Sequence, residues 1–172
     1  MDCRQESMTR SVVPKNKLLS PAVYTLVTQS VPIVCVDLVI FRRRGRLLET
    51  LLIKRKISPE IGKWCIIGGR ILKNESIEES IVPQAKRELG LTVKILKPWN
   101  ARKPAGVFNA PWADAKKHYV SLTYPVIIVR GAPRAFGPEF SEAKWFAVNR
   151  IPARMGFSHR EQVLFAAIQV KS

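Results

Sequence analysis

Long apolar runs are missing from these 172 residues: no stretch reaches 18 consecutive apolar positions, so nothing reads as a membrane-spanning helix. The first 17 residues, MDCRQESMTRSVVPKNK, lack an apolar h-region and do not read as a secretory signal. Cysteine is sparse. Cys3, Cys35 and Cys65 stand far apart with no C-x-x-C pair, which argues against a disulfide framework and a zinc site. Two buried thiols and one tail thiol in a reducing cytoplasm are expected. Internal repeats are absent. Acids are scarce too: 13 Asp and Glu face 29 Lys and Arg, a net charge of +16.

That charge favours anionic partners such as nucleotides, polyphosphates or nucleic acid. It does not choose among them. Many cations sit in Arg42-Arg43-Arg44, Lys54-Arg55-Lys56, Lys116-Lys117 and the first 17 residues. The Arg42–Arg44 run reads as a solvated hairpin tip. No helix-turn-helix, zinc-finger or RNA-binding signature accompanies the charge, so a nucleic-acid partner has only composition in its favour.

The length suits one domain with a real core, over 18–172, preceded by a basic extension over 1–17. Ser20-Pro21 predicts a helix start and a short helix over 21–29. VPIVCVDLVIF (31–41) is a β-branched run and reads as a buried strand. RRRGR turns the chain, and LLETLLIKRK (47–56) reads as its hairpin partner. WCIIGG is a short strand running into glycines. Ser76 to Glu79 fits a capping box opening a helix with Ile77, Ile81, Ala85 and Leu89 on one face, stopped by Gly90. Pro83 within that pattern predicts a kink or a late start. Strands are expected over 91–97, 118–130 and 143–148, with a further one near 104–108. Ser158 to Glu161 predicts a second capping box and a C-terminal helix, with His159 structural or solvated there. The sum is an α/β fold, a mixed sheet packed between helices.

Chemistry gathers around GGRILKNESIEESIVPQAKRELGL (68–91). Glycines ending a strand let the backbone approach a ligand closely. A carbonyl freed there, Glu88 in the last helical turn and one more loop carboxylate suffice for one Mg²⁺. Such an ion takes one or two carboxylates, with water and substrate phosphate completing its octahedron.

Gly69, Glu75, Glu88, Gly90 and Leu91 stand in the register of G-x5-E-x7-R-E-U-x-E-E-x-G-U, with U a bulky aliphatic, so the stretch resembles the Nudix box. Ala85 stands at the first aliphatic position. Pro83, Gln84 and Arg87 replace the box Arg and two of its Glu residues, which argues against a site for two or three metal ions. A box with few carboxylates and a single Mg²⁺ is similar to that of the GDP-mannose mannosyl hydrolases. IKRKISPEIGKWCIIGGRI, HYVSLTYPVII and PEFSEAKWFAV also resemble segments of that branch, and the likeness covers roughly 18–170.

The resemblance implies a Nudix fold, a homodimer formed through the N-terminal elements and a sugar nucleotide as substrate. It implies Mg²⁺, with Mn²⁺ as an alternative, held by the Gly68 carbonyl, Glu88 and Glu139, the last six residues before Trp145. Arg55 and Arg70 match arginines that grip the diphosphate. Asp37 matches an acid of the first strand that helps hold substrate. Phe140 stands where the branch has its general-base His, and Phe cannot accept a proton. Glu142, His118, Glu139 and Asp37 are the candidates to replace it, and spacing favours none.

One Mg²⁺ and two arginines suit the departure of a nucleoside diphosphate from sugar C1, because positive charge stands where negative charge develops. Attack on phosphorus would also need an oriented water, which extra carboxylates and metals supply in the full box. The sparse cluster therefore favours C–O over P–O cleavage. Two other readings stay open. One is a domain that binds a nucleotide without turnover, which Gln84, Arg87 and Phe140 support. The other is a nucleic-acid binder.

Overall fold

The computed structural model describes residues 19–114, 116–134 and 138–171. The expected extension over 1–17, with Cys3, lies outside them. Helix α1 (Pro21–Ser30) starts where Ser20 predicts, its hydroxyl accepting the Val23 N–H at 3.4 Å.

Strand β1 (Ile33–Arg44) is the spine of the sheet. It pairs antiparallel with β2 (Leu47–Arg55) through Phe41 to Arg44, and with β4 (Ile67–Arg70) through Cys35 to Leu38. On its other side it runs parallel to β7 (Tyr119–Arg130). The short β3 (Trp64–Cys65) and β8 (Phe140–Ala147) extend the sheet from β2. Strands β5 (Thr92–Ile95) and β6 (Gly106–Asn109) pair with β7.

Both faces of β1 are covered, which is why its sequence reads as a continuous apolar run. Val36, Leu38 and Ile40 belong to a core with Ile81, Ala85 and Leu89 of α2 (Ile77–Leu89). Val39 and Phe41 belong to a second core with Val163, Ala166 and Ala167 of α3 (His159–Lys171). Strand alternation thus assigns α2 to one face and α3 to the other. Cys35 and Cys65 are buried and free, and burial pushes both thiols up to about 12.

Helix α2 carries the predicted capping box: Ser76 Oγ accepts the Glu79 N–H at 3.2 Å, and Glu79 Oε2 accepts the Ser76 N–H at 2.8 Å. The late start anticipated from Pro83 does not occur. The cap fixes the helix origin at Ile77, and the helix runs on through Pro83 to Leu89.

Candidate active site

Asp37 on β1 and Gly68 on β4 are direct cross-strand partners. A side chain on Gly68 would overlap Asp37 Oδ1, and one on Gly69 would meet Gln84 Oε1 at 2.7 Å. The two glycines therefore make room on opposite faces of β4 at once: Gly68 for Asp37, Gly69 for Gln84 of α2. A cavity of about 750 Å³ opens at this place. Its lining includes Asp37, Arg55, Arg70, Glu88, Glu139 and His159.

On the α2 side, Gln84 Nε2 donates to the Gly68 carbonyl at 2.8 Å and to Glu88 Oε1. Gln84 Oε1 accepts from Arg87 Nη2. The other Glu88 oxygen, Oε2, is buried without a hydrogen-bond partner among the described residues. Burial pushes the Glu88 carboxyl up to about 8; the Glu139 charge adds to the rise, while Arg87, Arg55 and the Gln84 hydrogen bond oppose it. Glu75, a matched box residue, closes the loop before α2 by accepting the Leu72 N–H at 2.8 Å.

An orphaned buried carboxylate oxygen beside a bridged carbonyl fits one hard cation. Among the described residues no three His, Cys, Asp or Glu side chains gather as a metal cluster. The residues present therefore suit a single ion that takes much of its shell from water and a phosphate. Glu139 is exposed on the cavity rim, its backbone carbonyl accepting the Lys56 N–H at 2.8 Å.

The two arginines are held by different devices. Arg55 donates through Nε to the Pro59 carbonyl at 2.9 Å, and its guanidinium lies 5.5 Å from the centre of the Phe157 ring. The Arg70 guanidinium lies 4.3 Å over the Tyr24 ring of α1, where Lys117 also approaches at 4.9 Å. Each keeps its forked donors near the cavity, and that fork suits phosphate oxygens.

On the α3 side the buried Asp37 faces His159. His159 Nε2 lies 3.9 Å from Asp37 Oδ2, and both residues are buried. His159 Nδ1 accepts the Ile66 N–H at 3.3 Å, so in the neutral ring the proton sits on Nε2, facing Asp37. Burial lowers the imidazole pKa and keeps the ring neutral near pH 7; Asp37 opposes the shift and Arg55 adds to it. Helix α3 is tied down beside this pair, with Thr123 Oγ1 donating to Gln162 Oε1 at 2.9 Å and Gln162 Nε2 donating to Ser158 Oγ at 3.2 Å.

Of the residues singled out from the sequence, Asp37, Arg55, Gly68, Arg70, Glu88 and Glu139 come together around the cavity. His118 and Glu142 do not. His118 precedes β7 and is engaged by Asn109 Oδ1; it is not part of the lining, although Lys117 and Tyr119 on either side are, and Glu142 is an exposed side chain of β8. A bulge in β8 explains Glu142: Phe140 pairs with Arg55 and Glu142 with the adjacent Lys54, so the extra residue Ser141 breaks the alternation and turns Glu142 away from the α2-side core that Phe140 faces.

His159 also lines the cavity, where sequence reasoning did not place it. A structural or solvated role is expected at this helix start; the residue is buried beside Asp37 and not solvated, and its Nδ1 accepts a backbone N–H as a structural residue does. The available signal was indirect: Asp37 needed a partner, and the chain has only two histidines. Trp64 and Trp99 pack within the fold, Trp64 edge-on to Phe146 at 4.8 Å, whereas Trp112 is 82% exposed.

Comparison with known proteins places the chain. The NUDIX domain profile matches residues 31–165. An ADP-ribose pyrophosphatase of Methanocaldococcus jannaschii is 31% identical over 113 residues, which cover 66% of this chain and 62% of that protein. The low-salt glycan biosynthesis protein Agl8 of Haloferax volcanii is 38% identical over 69 residues, 40% of this chain and 42% of that one. The chain thus spans less than two thirds of the length of either relative. Among solved structures, a MutT NUDIX hydrolase from Burkholderia pseudomallei superposes with a TM-score of 0.65 at 26% identity, covering 78% of this chain and 98% of that one.

Proposed function

This chain belongs to the NUDIX family, and from its site we infer that it is a Mg²⁺-dependent hydrolase of a nucleoside-diphosphate-linked compound, a sugar nucleotide such as GDP-mannose, cut at the sugar C1–O bond. The observation that carries this reading is the gathering of Gly68, Glu88, Glu139, Arg55, Arg70 and Asp37 around one cavity. The M. jannaschii relative is named for ADP-ribose, itself a nucleoside diphosphate joined to a sugar.

The Gly68 carbonyl and the Glu88 and Glu139 carboxylates would hold the ion. When bound, Mg²⁺ supplies Lewis-acid stabilisation of charge on a diphosphate. Arg55 and Arg70 grip the same diphosphate and meet the negative charge that develops as the C1–O bond breaks. Asp37, at the cavity wall between Gly68 and His159, accepts the proton of the attacking water. His159 turns an N–H toward Asp37 from 3.9 Å. The leaving nucleoside diphosphate needs no proton at neutral pH, so one base suffices. Mn²⁺ can take the same oxygen ligands.

A homodimer formed through α1 is part of this reading. It is supported by the exposure of Leu19, Val23, Leu26 and Val31 in and around that helix, a run of apolar side chains left open to solvent. Nucleotide binding without turnover is the second reading. The hydrogen bonds that already join Gln84 to Gly68 and Glu88, and a phenylalanine at position 140, favour it.

Incubation of the protein with Mg²⁺ and a panel of sugar nucleotides, GDP-mannose first, tests the proposal. Release of sugar and nucleoside diphosphate that stops with EDTA and in Glu88→Gln is expected. Ligand binding without any product would replace it by the second reading.

A further inference from the structure

Gln84 occupies an unusual position for a residue beside a metal seat. Its side-chain nitrogen donates to the Gly68 carbonyl and to Oε1 of the Glu88 carboxylate, the two groups that the preceding reading gives to the ion, while Glu88 Oε2 is left without a partner among the described residues. The orientation of this amide is set by its neighbours. The Gly68 carbonyl can only accept, so it requires the NH₂ end; Arg87 can only donate, so it requires the oxygen. An amide nitrogen has no lone pair to offer a cation. In this orientation Gln84 cannot ligate an ion and can only stand in its way. Gly69 keeps the space for the amide open, since a Cβ there would lie 2.7 Å from Gln84 Oε1 and 3.0 Å from Nε2. The residue is itself 6% exposed, so it has little room to swing aside without disturbing α2.

We propose that Gln84 is a specificity-determining residue that competes with the divalent ion. It ties the Gly68 carbonyl to the Glu88 carboxylate in the metal-free protein, and an ion taking the place between these two groups displaces its hydrogen bonds. The inference rests on the metal reading of Gly68 and Glu88. It accounts for a family box whose first metal carboxylate is an amide: the Gly68 carbonyl and Glu88 Oε1 already have a donor when the site is empty, and the ion is taken weakly. Binding of ion and diphosphate is consequently coupled. A diphosphate brings oxygens that complete the shell and offset the loss of the Gln84 bonds, so the ion binds tighter with the nucleotide than without it.

The test is a Mn²⁺ titration of the metal-stripped full chain, reading free Mn²⁺ by electron paramagnetic resonance, with and without GDP. Wild type is compared with Gln84→Ala, Gln84→Glu and Glu88→Gln, and circular dichroism melts confirm folding. Gln84→Ala is expected to bind Mn²⁺ about tenfold more tightly than wild type without GDP, the scale of one to two hydrogen bonds no longer lost. Gln84→Glu, which is nearly isosteric and keeps the result readable if the alanine variant unfolds, is expected to bind tighter still. The advantage given by GDP should shrink in both. Saturable Mn²⁺ binding that Glu88→Gln abolishes but that the Gln84 variants leave unchanged or weaken would overturn the competition and leave the metal reading standing. Absence of saturable binding in every protein, Gln84→Glu included, would overturn both.

Discussion

His159 Nε2 lies 3.9 Å from Asp37 Oδ2, and the other ring nitrogen accepts a backbone N–H from Ile66. The ring is thereby held in one tautomer by the sheet and turned toward a carboxylate on the cavity wall. Asp37→Asn keeps the shape and removes the base. Its kcat is expected to fall by about 10²–10⁴, with a thermal midpoint close to that of wild type. His159→Ala leaves the Ile66 N–H without its acceptor and should cost about 1–3 kcal/mol in urea denaturation. Unchanged turnover in Asp37→Asn would remove Asp37 from the chemistry.

Glu88 gives the stability of the metal-free protein a pH dependence whose sign follows from burial. The folded carboxyl titrates near 8, against an ordinary value of 4.5. Between those values the folded state binds more protons than the unfolded one, so stability is present at low pH and is lost as pH rises through about 8. In EDTA, wild type should lose more unfolding free energy than Glu88→Gln between pH 5 and pH 9, by on the order of a few kcal/mol. Parallel curves for the two proteins would contradict this. Coordination needs the ionised carboxylate, so Mn²⁺ affinity should rise over the same interval.

Gly68→Ala places a methyl group into Asp37 Oδ1 and within 2.9 Å of the Val36 carbonyl. Backbone on one side and a buried carboxylate on the other leave little room to yield. A loss of about 1–3 kcal/mol, the usual scale of overpacking, is expected in chemical denaturation. A variant as stable as wild type would show that β4 and β1 are not held as closely as described.

Arg55 and Arg70 stand over aromatic rings that fix their planar heads. Lysine carries the charge but not the fork, so Arg55→Lys and Arg70→Lys should each lower kcat/KM by about tenfold or more rather than restore it. Isothermal titration with a nucleoside diphosphate separates binding from turnover. Lysine variants with wild-type affinity and rate would mean that the guanidinium shape is not used.

Much of the fold was legible because local signals and tertiary packing agree. The Ser76 capping box, the Ser20-Pro21 start and the continuous apolar run of β1 each produce the element expected of them. The candidate site was legible where residues are fixed by the glycine pair and its helix. It was less so where partners come from far along the chain. His159 reaches Asp37 from a helix 122 positions later, and only the burial of both faces of β1 brings α3 over that carboxylate. Glu142 and His118 had suitable chemistry but the wrong side of a strand or the wrong end of a loop, which depends on register and not on residue type. Of the kink or late start that Pro83 suggests, the late start does not occur: the capping box, together with packing of Ile81, Ala85 and Leu89, carries the helix through it.

The claim that this site cleaves a carbon–oxygen bond is tested most directly by hydrolysis of GDP-mannose with Mg²⁺ in ¹⁸O-water, with the products weighed by mass spectrometry. The account predicts label on the free sugar and none on the nucleoside diphosphate. Label on a phosphate would contradict it and assign the cavity to attack on phosphorus.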